Sequence, residues 1–219
     1  GAPSWSRPAT AVGRMEASSS RSARVPGSER SGEVLLAAGV SRSPRDALGR
    51  AASPSGRALI AAVAARVVTC EGGVACLPRT QADHRHRCGT CGRWWSVSHV
   101  GNRWAVASSR RPLGIDLEDD RRRPRAWAVA SRWCGVPVTG PSGWTQAEAL
   151  WKATGKGLRT PRDGEILIPK EPGHGWLPSR DALWTIRTVA RRGFTCSLAL
   201  QRDHAREGAS ADGDQCPPE

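Results

Sequence analysis

The sequence predicts an α+β protein, with short antiparallel strands grouped before and after a set of helices. Three observations lead to that class. Segments such as Leu113-Gly-Ile-Asp-Leu-Glu118 alternate apolar and polar residues with the period of two of a strand. Gly56 to Val67 instead places Leu59, Ile60, Val63 and Val67 on one helical stripe. The order helix, strands, helices, strands lacks the strict alternation of a parallel sheet, and no repeat of 20–50 residues marks a solenoid.

Residues 1–44 are dense in Ser, Arg, Pro, Ala and Gly, relieved only by the brief Val34-Leu35-Leu36 run. Such a segment buries too little apolar surface to offset its ordering entropy, so a disordered leader is expected. Ser53-Pro54-Ser55 then opens the helix of residues 56–67. Val67–Cys70 and Val74–Leu77 read as short strands around Gly72-Gly73, and Gln81–Arg93 as a polar, basic loop. Ser96–Ser98 and Trp104–Ser108 read as strands separated by Gly101-Asn102.

After the turn Arg110-Arg111-Pro112 comes the alternating strand. Leu113, Ile115 and Leu117 share its core face, while Gly114, Asp116 and Glu118 share the opposite face. A charged loop, Asp119–Arg125, leads to a helix over Ala126–Trp133. Thr145 is a good N-cap for a further helix ending near Gly155. Glu165–Ile168, Leu183–Val189 and Phe194–Leu200 alternate as strands of an antiparallel meander, and residues 206–219 form a disordered tail.

Charge is the strongest bulk property: 33 Lys and Arg against 20 acids give a net charge of +13, almost all of the positive charge being Arg. A basic chain suits phosphorylated small molecules, nucleic acid, anionic surfaces or an acidic protein. No run of 18 apolar residues predicts a transmembrane helix, and the N-terminus lacks the apolar core of a secretory signal. With an odd number of cysteines, seven, this predicts reduced thiols and a cytoplasmic location.

Several constellations could carry chemistry. Asp116 and Glu118, two apart on one strand face, can share a hard cation such as Mg²⁺; the plain alternative is a solvated strand end. Glu148 and Lys152, four apart, face the same way on a helix, as acid and phosphate-binding cation or as an ordinary ion pair. Thr145 to Glu148 also fits a capping box. Ser98-His99 follows a strand and could donate to a phosphate at a turn. His84, His86, Cys88 and Cys91 lie within eight residues, although structural zinc sites usually draw a second ligand pair from farther along the chain. Ten Trp with no Tyr and one Phe stand in pairs such as Arg93-Trp94-Trp95, Arg103-Trp104 and Arg132-Trp133, as in single-strand binders or as core residues.

The order Ser98-His99, Gly114-Ile-Asp116-Leu-Glu118, Trp144-Thr-x-x-Glu148-Ala-x-x-Lys152-Ala-Thr-Gly-Lys-Gly157-Leu158 resembles the 4′-phosphopantetheinyl transferase superfamily, in its long, single-chain, surfactin-synthetase type. The match spans about Ser96 to Leu158, with Ala147 where the family often has Lys. The resemblance implies a pseudo-dimer of two similar lobes, each an antiparallel sheet with packed helices: a divergent N-terminal lobe over 45–112 and a C-terminal lobe over 113–205 carrying the motifs. It implies Mg²⁺-dependent transfer of 4′-phosphopantetheine from coenzyme A to a serine of an apo acyl or peptidyl carrier protein, in a monomeric enzyme without membrane or nucleic-acid partners. By position, Asp116, Glu118 and Glu148 would hold Mg²⁺. Glu148 and Lys152 would be catalytic, Glu148 either as base or as metal ligand. Ser98, His99, Asp116 and Lys152 would contact coenzyme A, with Arg50 and Arg57 as further basic candidates. The competing expectations are an Arg/Trp-rich single-stranded nucleic-acid-binding protein and a degenerate transferase-like pseudoenzyme that still binds coenzyme A or a carrier.

Overall fold

The computed structural model describes residues 34–40, 56–70, 73–156, 160–170, 175–181 and 183–203. Its elements run β1 (Leu35–Val40), α1 (Gly56–Val67), β2 (Pro78–Thr80), β3 (His86–Cys88), β4 (Trp94–Val100), β5 (Arg103–Ser109), β6 (Leu113–Glu118), α2 (Pro124–Cys134), α3 (Pro141–Thr154), β7 (Trp176–Pro178), β8 (Trp184–Arg191) and β9 (Phe194–Gln201). The α+β class holds. The strands form two antiparallel sheets, ordered β1-β5-β4-β3-β2 and β6-β9-β8-β7.

Three apolar clusters fix the layering. Helix α1 packs Leu59, Ile60, Val63 and Ala64 onto one face of the first sheet, against Trp95 and Val106. The other face of that sheet offers Ala105 and Ala107 to Leu113, Ile115, Leu198 and Leu200 of the second. Helices α2 and α3 cover the far side of the second sheet, with Ala130, Cys134, Ala149, Leu150 and Ala153 against Ile186 and Ala199. The layers are therefore helix, sheet, sheet, helices, with the two sheets meeting near β4, β5 and β6.

Several elements depart from expectation. Strand β1 lies inside the stretch 1–44 expected to be disordered and pairs Leu35 with Ser108 through to Val40 with Arg103. Its apolar run is short, but a ready edge on β5 supplies the hydrogen bonds the run could not supply alone. The rest of that leader and the tail 206–219 lie outside the described residues, as does Arg50. The polar loop 81–93 contains strand β3, which pairs with β2 just before the loop and extends the sheet from β4. Val67–Cys70 and Val74–Leu77 are reduced to a single bridge between Thr69 and Ala75.

Glu165–Ile168 is not a strand. Ile166 and Ile168 are buried, but the backbone bonds to the end of α2 instead, Ile166 N–H donating to the Trp133 carbonyl at 3.1 Å. Helix α3 begins at Pro141 with Gly140 as its cap, so Thr145 lies in its second turn and caps nothing. The Thr145 side chain is instead buried, its hydroxyl sharing a 2.7 Å hydrogen bond with Ser197 of β9. Ser197 also bonds Thr188 of β8 at 2.9 Å, and Gln146 Nε2 donates to Thr188 at 2.9 Å. These buried polar contacts tie α3 to the sheet, although the Gln146 Oε1 atom within them has no partner.

Candidate functional site

A close approach of helix to strand builds the site. A Cβ added to Gly114 would collide with the backbone carbonyl of Ala149 and lie 2.6 Å from the Ala153 nitrogen. Only glycine lets α3 settle this near β6. The face of β6 carrying Gly114, Asp116 and Glu118 is thus covered by α3, and all six residues of the strand are buried. The two acids, placed by the alternation on the face away from the Leu113 cluster, are not solvated: Asp116 is 3% and Glu118 6% exposed.

From α3, Lys152 reaches back to this strand. Its Nζ lies 2.6 Å from Asp116 Oδ1, 3.2 Å from the Ile115 carbonyl and 3.9 Å from Glu148 Oε2. Ser98 of β4 closes on the same carboxylate from the first sheet, donating its hydroxyl to Asp116 Oδ1 at 2.9 Å while accepting the Leu117 N–H at 3.0 Å. Glu118 accepts the Asp119 N–H at 2.9 Å and pairs with Arg123 at 3.0 Å.

The electrostatics follow from three acids brought together. Burial pushes the Glu148 carboxyl up, and the neighbouring charge of Asp116 adds to it, so that its pKa reaches about 8 despite Lys152. Burial likewise raises Glu118, against the pull of the Asp119 amide and Arg123. Burial alone would lower Lys152, whose side chain is 33% exposed, but Asp116 and Glu148 hold it above its ordinary value. Asp116, Glu118 and Glu148 offer only carboxylate oxygens, the donor type that hard cations take.

These residues line a cleft of about 520 Å³ between the two sheets, together with His99, Arg123 and Trp144. Ser98, His99, Asp116, Glu118, Glu148 and Lys152 all reach this one cleft, whereas Arg57, the further basic candidate, does not line it. Ser98, expected to donate to a phosphate, has its proton directed to Asp116. His99 is exposed at the cleft. Arg123 and Trp144 had no assigned role in the sequence; the signal for Arg123 was a basic residue five positions after Glu118 in a turn of Arg and Pro. Ala147 is buried in the core cluster and does not line the cleft, so the lysine that the resemblance would place there leaves no gap in its wall.

The Arg/Trp pairs belong to the fold. Arg85 and Arg87 cover the Trp94 ring at 4.4 and 5.0 Å, and Trp95 is buried. Trp133 packs on Trp144 and Trp151 with ring centroids about 6 Å apart. Arg103 donates to the Gly193 carbonyl at 2.7 Å and lies over Phe194. His86 bonds Thr80 at 3.2 Å and His84 occupies a left-handed turn; neither joins Cys88 and Cys91, whose neighbours are Cys70 and Cys76.

Comparison of the sequence with models of known protein families and with curated proteins yields no match.

Proposed function

We propose that the protein transfers the 4′-phosphopantetheine group of coenzyme A to a serine of an apo acyl or peptidyl carrier protein, with Mg²⁺ as its metal. One observation carries this reading: Asp116, Glu118, Glu148 and Lys152, drawn from a strand and a helix, line one cleft together with Ser98 and His99 of β4. The sequence order that resembles the transferases thus coincides with a spatial cluster of the chemistry that pyrophosphate cleavage needs.

Asp116, Glu118 and Glu148 would hold the cation. Magnesium, when bound, neutralises and orients pyrophosphate oxygens. The reaction forms a bond from the carrier serine Oγ to the pantetheine-side phosphorus. It breaks the bond from that phosphorus to the oxygen that departs with adenosine 3′,5′-bisphosphate. Glu148 would either complete the ligand set of that cation or, directly or through water, accept the serine proton. Lys152, held positive by Asp116, faces the charge that grows on the departing oxygen. Ser98 orients Asp116, and His99, exposed at the cleft, would contact the phosphates. Trp144 supplies an apolar wall, and the net charge of +13 suits both a polyanionic donor and an acidic carrier.

The test is direct. The chain is incubated with Mg²⁺, coenzyme A and a panel of apo carrier proteins, and the carriers are weighed by mass spectrometry. One or more should gain a phosphopantetheine group, and Asp116→Ala should abolish the gain. No mass gain on any carrier, together with no heat on titrating coenzyme A, would remove the transferase and the coenzyme-A-binding pseudoenzyme at once. Heat without transfer would favour the pseudoenzyme. The covered tryptophan rings argue against single-strand stacking, which predicts that oligonucleotides bind only through non-specific, steeply salt-dependent charge contacts.

A further inference from the structure

The other constellation of reactive side chains lies in the first lobe, away from the cleft. Cys70 and Cys76 flank a tight hairpin in which Cys70 N–H donates to the Val74 carbonyl at 2.8 Å and Gly73 takes a positive φ of 75°. Cys88 and Cys91 flank the turn from β3 to β4. There the Gly92 N–H donates to the Cys88 carbonyl at 3.0 Å, the Cys88 N–H to Arg93 at 2.9 Å, and Gly92 has φ 69°. Left-handed glycines at these points let both turns fold back sharply enough to aim two sulfurs each at a common centre.

We propose that Cys70, Cys76, Cys88 and Cys91 form a tetrathiolate site for zinc. Their four sulfurs all lie within 4.8 Å of one another, and the cross-turn pairs Cys70–Cys88 and Cys76–Cys91 are each 3.7 Å apart. Four sulfurs at the usual zinc–thiolate distance of about 2.3 Å form a tetrahedron with edges of about 3.8 Å. Disulfide sulfurs would instead be about 2.05 Å apart. The donor set is wholly soft sulfur, which selects zinc or iron over magnesium or calcium. Backbone N–H groups of Thr90 and Cys91 donate toward the Cys88 sulfur and so hold its orientation. The spacing Cys88-x-x-Cys91 is that of a zinc knuckle; Cys70-x₅-Cys76 is longer than the usual two to four residues, and the Gly73 hairpin takes up the excess.

Burial fits a closed structural site. Cys70, Cys76 and Cys88 are buried among Leu59, Ile60, Val68 and Trp95, while the half-buried Cys91 marks the side open to an entering ion. Loading one ion balances as Zn²⁺ plus four thiols giving one tetrathiolate and four protons, with no oxidant needed. The centre ties the chain after α1 to the β3–β4 turn across a small apolar cluster. It also holds the β2–β3 hairpin, whose Arg85 donates to the Ala153 carbonyl of α3 at 3.3 Å.

This inference is independent of the transferase reading, and its test measures metal, not activity. The full chain, produced with zinc available and dialysed under reducing conditions, is assayed by elemental mass spectrometry. About one zinc per chain is expected, released by a mercurial thiol reagent. Cys91→Ser should lose most of it and Cys216→Ser should retain it. Because a misfolded Cys91→Ser chain would also lose zinc, the unsubstituted chain is loaded with Co²⁺ as well, which should give the intense visible bands of tetrahedral cobalt thiolate. Dialysed protein nearly free of zinc, with no such cobalt spectrum, overturns the site. Two disulfides among the four cysteines in protein kept reduced, or stoichiometric iron in place of zinc, do so as well.

Discussion

The contact between β6 and α3 makes Gly114→Ala a severe test of how the cleft is assembled. The new methyl would lie 2.6 Å from the Ala153 nitrogen, and ordinary contact begins near 3.4 Å, so α3 must retreat by at least about 0.8 Å. The Ala149 carbonyl is nearer still and demands more. Both obstacles are backbone, so no rotamer change relieves them. A retreat of that size stretches the 2.6 Å pair between Lys152 and Asp116 to about 3.4 Å, past the range of a strong hydrogen bond. Overpacking of this kind costs about 1–3 kcal/mol, or a fall in melting temperature of roughly 2–4 °C per kcal/mol for a chain of this size. Thermal denaturation would be read beside carrier modification, with Gly143→Ala as the control. There the Cβ meets only the Val138 side chain at 3.1 Å, and the helix gains propensity. If Gly114→Ala melts with the unsubstituted protein and transfers at the same rate, the close approach is not what sets the site.

Three further outcomes are expected. Ser98→Ala leaves the buried Leu117 N–H without its partner and takes one of the two donors from Asp116 Oδ1, and should cost about 1–3 kcal/mol in urea denaturation; an unchanged midpoint would contradict the hydrogen bonding. Glu148 has a folded pKa raised to about 8 from 4.5, so its protonated form favours the fold. That stability is fully present below about 4.5 and declines as pH rises to about 8, so in chelator the protein should weaken across this window; Glu148→Gln should flatten the decline and added Mg²⁺ should oppose it. Arg103→Ala removes the 2.7 Å bond to the Gly193 carbonyl and the packing on Phe194, and should lower stability by about 1 kcal/mol without altering carrier modification.

Much of the site was legible in local sequence because its residues repeat at the periods of the elements that carry them. Asp116 and Glu118 share a face through the two-residue period of β6, and Glu148 and Lys152 through the turn of α3. What local pattern could not supply was the environment on either side. The acids looked solvated because the sequence does not say that α3 covers their face; Gly114, the residue that permits it, reads on its own as a mere break in a strand. Thr145 looked like a cap because buried hydroxyls are legible only once Ser197, 52 residues on, is beside it. The same distance effect hid the second cysteine pair. Cys70 and Cys76 sit in a different turn from Cys88 and Cys91, and the nearer His84 and His86 drew attention instead. Glu165–Ile168 alternated for burial against α2, a need that produces the same pattern as strand pairing.

The seam between the sheets has a further consequence for the chain as it is made. Strand β6 is an edge, and its outward N–H groups at Ile115 and Leu117 are satisfied at 3.0 Å by the hydroxyls of Ser96 and Ser98 rather than by a neighbouring strand. Side chains of the earlier-synthesised sheet therefore act as a sealed border for the later one. A fragment beginning near Leu113 would carry that border open, with an apolar face beside it, and would be prone to pair with other copies of itself. Synthesis from the N-terminus offers the seal before the edge exists, so the direction of translation itself protects the second sheet from aggregation.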